Sequence, residues 1–261
     1  MSQLKVNALV SYSGNTVTLG TSGDTINVAS NVTFNASSAS VNLPAINLAT
    51  GVTGVLPVAN GGTGSSTTAG GFKSMQVFST AGSFTYTKPS GINLIKVYIT
   101  GGGGGGGKGG ASEISGGGGA AGGTAIEVID ATSITTVAVT IGAGGASENA
   151  GSTSSFGSYC SATGGEQGLN AGALAGDTQG GVGSGGNINL YGQAGGGGAD
   201  DASAKTGGLG GSSFWGGGGY GIYNTTGLVG YHGGGGGGGQ RSTANLGGAG
   251  GAGICVVEEY S

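Results

Sequence analysis

Charge is scarce in this chain of 261 residues: Asp, Glu, Lys and Arg make up 7%, and the formal net charge is −4. Proline occurs three times, cysteine twice and histidine once. Each shortage excludes something. Disordered chains are normally rich in charge and proline, so low complexity alone does not make this one disordered. Collagen needs glycine at every third position with abundant proline, and the run Gly101–Gly107 breaks that period. The basic residues Lys5, Lys73, Lys88, Lys96, Lys108, Lys205 and Arg241 are scattered, so no stripe forms that could displace counterions from nucleic acid. No apolar run is long enough to insert across a bilayer, and the opening MSQLKVNALV has no hydrophobic signal core. Cys160 and Cys255 lack metal-ligand spacing and are too few for a disulfide framework. They read as small buried hydrophobes.

Catalytic and metal-binding patterns are also missing. His232, the single histidine, has no orienting carboxylate near it in sequence and reads as a loop or packing residue. Asp200 and Asp201 lack the later oxygen ligands of a calcium loop. Glu258 and Glu259 read as solvated residues of a terminal strand. Chance GxGxxG matches abound in so much glycine, but none sits in a βαβ unit. No catalytic residue, cofactor or metal is expected.

What the chain does have is glycine, 70 residues of it, most of them between 101 and 254. The pattern divides the chain into three. In residues 1–60, short apolar alternations recur at roughly eight-residue spacing: TVTLG, TINVA, VTFNA and SVNL. Each is too short to bury much alone, which suits an intertwined stalk. Residues 61–74 are a Gly/Ser/Thr neck linker. From 75 onward, strands are expected within 75–101 and at 124–130, 135–142 and 253–260, from β-branched content and alternation. Glycine tracts fill the gaps between them.

The neck sequence GVLPVANGGTGSSTTAGG (54–71) resembles that of bacteriophage tail fibres, where three chains meet before a distal domain. Residues 75–261 resemble the glycine-rich domain of phage fibres and adhesins. The likeness is carried by IKVYITGGGGGGG, VTIGAGG and GGAGICVVEEY. It implies an all-β chain. A trimeric β-stalk, attached to the virion through its N-terminus, is followed by a small β-sandwich that continues into packed polyglycine II helices.

Physical chemistry explains how glycine can form such a core. A helix with three residues per turn and no internal hydrogen bonds points its N–H and C=O groups outward. Buried, those groups need partners. Neighbouring helices about 5 Å apart supply them only if no Cβ intervenes. Counting tracts up and down from the strand at 92–100 places distal turns at 108–115, 152–163, 187–191, 212–215 and 240–246. The same count puts 199–206 and 220–232 near the neck. On the distal turns lie Lys108, Glu113, Phe156, Tyr159, Asn187, Tyr191, Phe214, Trp215, Gln240 and Arg241. Aromatic and polar loop residues on a rigid scaffold suit recognition, and these ten are the candidate receptor-binding residues.

The expected protein is therefore a non-catalytic tail-fibre or spike component. It would be a homotrimer, held to a tail or baseplate protein at one end and binding a host surface protein or polysaccharide at the other. Assembly would take place in the host cytoplasm and action outside the cell. A purely structural virion fibre, an ice- or surface-binding polyglycine II protein and a depolymerase are the alternatives. Threonine clustered in the stalk rather than on one flat face argues against ice. The missing carboxylate pair argues against a depolymerase.

Overall fold

The computed structural model describes residues 71–110, 115–171, 178–198, 206–222, 225–240 and 245–261. The expected stalk, Glu113, Asp200, Asp201, Tyr223 and Arg241 lie outside them. Among the described residues the fold is all-β, with ten strands in two antiparallel sheets and no helix.

The strands are β1 (Phe72–Phe78), β2 (Gly82–Thr87), β3 (Leu94–Thr100), β4 (Thr124–Asp130), β5 (Thr136–Ile141), β6 (Ser154–Phe156), β7 (Cys160–Ala162), β8 (Gly183–Ser184), β9 (Ile188–Leu190) and β10 (Ile254–Tyr260). The first sheet has the order β1-β10-β3-β4-β9 and the second β2-β5-β6-β7-β8. Alternation along β3 and β5 turns one side of each strand inward. Ile95, Val97, Ile99, Cys255 and Val257 of the first sheet meet Tyr86, Val137, Val139, Ile141 and Phe156 of the second in one buried cluster. The four longer strands expected from sequence beyond residue 92 are present as β3, β4, β5 and β10. Both cysteines are free and buried.

Two features of the sandwich differ from the sequence expectation. The short strands β6 to β9 come from Ser- and Asn-containing stretches with too little periodicity to read. Glu259 is fully buried rather than solvated. It faces the core, where its carboxylate accepts from Tyr86 Oη (3.0 Å), Gln76 Nε2 (2.8 Å) and Ser74 Oγ (2.5 Å). A buried carboxylate needs such donors to offset desolvation. Burial first, and then Glu259, holds the Tyr86 phenol well above its usual range.

Beyond the sandwich the chain forms a bundle of extended tracts bonded to one another. The tract 101–107 shows the rule. The N–H groups of Gly101, Gly104 and Gly107 donate to Gly123, Ala120 and Gly117 at 2.8–3.0 Å. Those of Gly102 and Gly105 donate to Ser152 and Asn149, and those of Gly103 and Gly106 to Gly251 and Gly248. The carbonyls of Gly102 and Gly105 accept from Gly165 and Gly168, those of Gly103 and Gly106 from Gly145 and Glu148, and those of Gly104 and Gly107 from Gly236 and Gly239. Direction of bonding therefore repeats every three residues, and every backbone group named has a partner in a different tract.

This network explains the glycines. A Cβ at any position from 101 to 107 would fall on a backbone carbonyl of a neighbour, far inside the 3.0 Å that real Cβ contacts respect. Alanine appears where there is room, as at Ala120 and Ala121, both fully buried. The tracts 101–107, 116–123 and 233–239 are buried throughout and form the interior of the bundle.

Candidate recognition surface

Hydrogen-bond directions fix which turns lie at which end. The tract 116–123 descends toward the sandwich, because it bonds antiparallel to 101–107. Ascending tracts run through 142–146, 163–170, 192–198, 216–220 and 233–240. Descending ones run through 149–153, 178–182, 206–212, 227–231 and 247–253. Among the described residues, the turn segments remote from the sandwich are therefore 108–110, 146–149, 170–171, 221–222, 225–226, 240 and 245–246. Those beside it are 157–159, 185–187, 212–215 and 231–233. The chain enters the sandwich at the end opposite the bundle, since Phe72 pairs with Tyr260 and Phe78 with Cys255.

The sequence count missed two descents. AGSTSS (150–155) continues from the bundle into β6 rather than forming a turn. TGLVGY (226–231) is a descending tract with only two glycines. The first omission reversed every direction from 164 to 219, and the second restored parity. Tyr159, Asn187, Tyr191, Phe214 and Trp215, expected at the remote end, consequently lie beside the sandwich. Tyr220, expected near the neck, lies toward the remote end and is 62% exposed.

Each candidate residue among the described ones then has a definite place. Phe156 is a core residue with no exposed surface, its ring 5.6 Å from that of Tyr86. Tyr159 is partly exposed in the 157–159 turn and packs against Phe156 at 6.2 Å. Gly157 in that turn has φ +51°, a conformation natural to glycine. Asn187 is bound to β4: its N–H donates to Glu127 Oε2 (2.6 Å) and its Oδ1 accepts from Val128 N (2.9 Å). Tyr191 is the most exposed aromatic among the described residues, at 77%. Phe214 and Trp215 pack edge to face at 5.1 Å, and both lie against Tyr98 of β3, at 6.1 and 5.6 Å. Their turn is held by Ser213 Oγ, which donates to the carbonyl of His232 (2.6 Å), where the chain passes through φ 42° at His232 and +83° at Gly233.

At the remote end, Lys108 and Gln240 keep the expected position. The backbone of Lys108 is clamped by Asn170, whose Oδ1 accepts from Lys108 N (2.8 Å), while Lys108 O accepts from Ala171 N (2.9 Å). Asn170 Nδ2 donates to Glu148 Oε1 (2.7 Å), so a third turn joins the same cluster. Gln240 is buried, with 2% of its surface exposed, and therefore supports the remote end rather than presenting a side chain. Two buried polar atoms there, Ser115 Oγ and Asn245 Nδ2, have no hydrogen-bond partner among the described residues.

A groove of about 360 Å³ on the side of the bundle is lined by Gln193, Leu209, Ser212, Tyr220 and glycine backbone. It holds no titratable carboxylate, histidine or cysteine. Among the described residues, no three His, Cys, Asp or Glu side chains come together in a metal-holding group. The aromatic group around Trp215 was only half visible in the sequence. Tyr98 sits inside a strand and gave no loop signal, and only the fold shows that the 212–215 turn folds back onto it.

A comparison with curated proteins finds no match. The model of a family described as a glycine-rich domain matches residues 78–260, which is most of the sandwich and all of the bundle. The chain belongs to that glycine-rich domain family.

Proposed function

We propose that this chain is a bacteriophage tail-fibre or spike protein whose bundle is a polyglycine II lattice presenting loops to the host cell surface. The lattice reading is supported by the three-residue repeat of bonding directions along 101–107, the repeat of a helix with three residues per turn and no internal bonds. The neck sequence PVANGGTG and the strand-to-glycine motif IKVYITGGGGGGG support the fibre reading. On this reading residues 1–60 hold three copies together and engage a tail or baseplate protein. The action is binding without catalysis, outside the cell, to a surface protein or polysaccharide.

The observation that carries the recognition role is the arrangement of the bundle. Three buried glycine tracts form the interior, and six ascending tracts end on the side remote from the point where the chain enters. Loops on such a scaffold can vary without disturbing backbone bonding. Lys108 and Tyr220 at the remote end thus replace the 212–215 turn as the first candidate contact, and Glu113 and Arg241 stay candidates from sequence alone. Host-cell adsorption by the full chain tests this. Lys108→Ala with Arg241→Ala should weaken adsorption about tenfold or more, the effect of losing interface anchors, while Tyr159→Ala should leave it unchanged. Absence of host-cell binding by the full chain, or loss with Tyr159→Ala alone, refutes the proposal.

A further inference from the structure

The outer face of the first sheet carries an apolar row across its whole width. Side chains alternate along each strand, so the residues opposite the core form rows. One row reads Val77, Val256, Tyr98, Ile126 and Ile188, in register across all five strands. The next reads Met75, Glu258, Lys96 and Val128, and the one below it Phe72, Tyr260, Leu94 and Asp130. The Phe214–Trp215 pair covers Tyr98 at the bundle side. We infer that this face is an interface with another copy of the same chain.

Size is the first argument. Phe72, Met75, Val77, Leu94, Val128, Ile188, Phe214 and Trp215 are each 39–59% exposed. With large side chains offering roughly 150–250 Å² apiece, that leaves on the order of 600–1,000 Å² of apolar surface. The largest patch on an ordinary monomer is about 300–600 Å². One partner in a standard interface contributes about 800 Å². Strands with apolar residues on both faces are the pattern of a sheet covered on both sides.

Charge is the second. Lys96 and Glu258 are cross-strand neighbours at the centre of the face. Lys96 Nζ lies 4.9 Å from the Tyr98 ring centroid, and Glu258 Oε2 accepts from Tyr260 Oη at 2.8 Å. One cation and one anion side by side make a self-complementary centre that a second copy can match, and their existing partners limit the cost of desolvation. Position is the third argument. The 70 residues that precede Gly71 lead directly into Phe72 at the corner of this face. The inference rests on the proposed fibre reading in one respect: chains joined through residues 1–60 hold their faces at high effective concentration.

The test uses the full chain, because Trp215 is its only tryptophan and reports on the face. The double substitution Met75→Lys with Val128→Glu places each new charge beside an opposite one of the same copy, Glu258 and Lys96. The sandwich should keep its melting temperature, but a covered face should not accept two extra charges. The native chain should sediment as an oligomer, with acrylamide quenching of Trp215 at least about twofold weaker than in the double variant. Val77→Thr with Leu94→Gln should act in the same direction if the charged pair impairs folding. A monomeric native chain, or equal quenching in native and variant chains, overturns the inference. So does a variant that loses host-cell adsorption with quenching unchanged, since the face then serves the receptor. Failure of the fibre reading looks different: no host-cell binding, with Trp215 protection intact.

Discussion

Gly117 and Gly118 are adjacent, both buried and both flanked by glycine, yet alanine should be tolerated at one and not at the other. A Cβ at Gly117 would meet Leu169 N at 3.4 Å and Gly196 O at 3.5 Å, ordinary van der Waals distances. A Cβ at Gly118 would fall on the carbonyl of Leu209. That carbonyl accepts from Gly196 N at 2.7 Å, and Gly118 N donates to Gly196 O at 2.8 Å. Making room means moving the 206–212 tract by about 1 Å or more, which strains or breaks both bonds. Overpacking costs about 1–3 kcal/mol, and each buried backbone group left unpaired about 1–3 kcal/mol. Gly118→Ala should therefore lose about 3–5 kcal/mol, a large share of the roughly 5–15 kcal/mol of a typical domain. Gly117→Ala should change stability by about 1 kcal/mol or less, with reduced unfolded-state entropy acting in its favour. At about 2–4 °C per kcal/mol for a domain of this size, the two variants should melt about 10 °C apart. Thermal unfolding followed by circular dichroism measures the gap. Melting points within about 2 °C of each other would refute the packing argument, because flexible linkers would not distinguish neighbouring glycines.

Further outcomes follow from the core of the sandwich. Tyr86→Phe removes one donor to Glu259 and should cost about 1 kcal/mol in denaturant unfolding. Glu259→Leu leaves the Tyr86, Gln76 and Ser74 donors without their acceptor and should cost about 2–4 kcal/mol. Burial pushes the Cys160 thiol from 9.0 up to about 12, and Cys255 and Tyr86 also upward. The folded state thus holds these protons more tightly than the unfolded chain, and stability should be fully present below pH 9.0 and fall as pH rises toward about 12. Melting temperatures across that range check the sign, and Cys160→Ala should flatten the slope. Phe156→Ala should cost about 3–5 kcal/mol, so any loss of adsorption in that variant should track loss of folded protein.

The sandwich was legible where strands were long and periodic. INLIKVYIT and GICVVEEY supply two apolar faces and fix β3 and β10, and the glycine tracts between distant strands already argued for packing over linkage. Polarity was harder to read, for a physical reason. A tract in this bundle needs glycine only where its Cβ would point at a neighbouring backbone. Tracts at the periphery can carry Ser, Thr, Leu and Val on their open side, as Leu228 and Val229 do at 46% and 47% exposed. Glycine density therefore marks interior tracts and understates edge tracts. A count based on glycine runs will skip edges in pairs and still close with the correct parity at the final strand. The reliable signal is where the chain reverses, not where glycine is dense. In this chain three of the four sandwich-side reversals carry positive-φ residues, at Gly157, Gly185 and His232–Gly233, and the fourth, 212–215, is tied down by Ser213 Oγ. A sequence reading that places descents before the Gly157 and His232–Gly233 turns would bring 212–215 to the sandwich side, where Tyr98 lies, and leave the remote end to Lys108 and Tyr220.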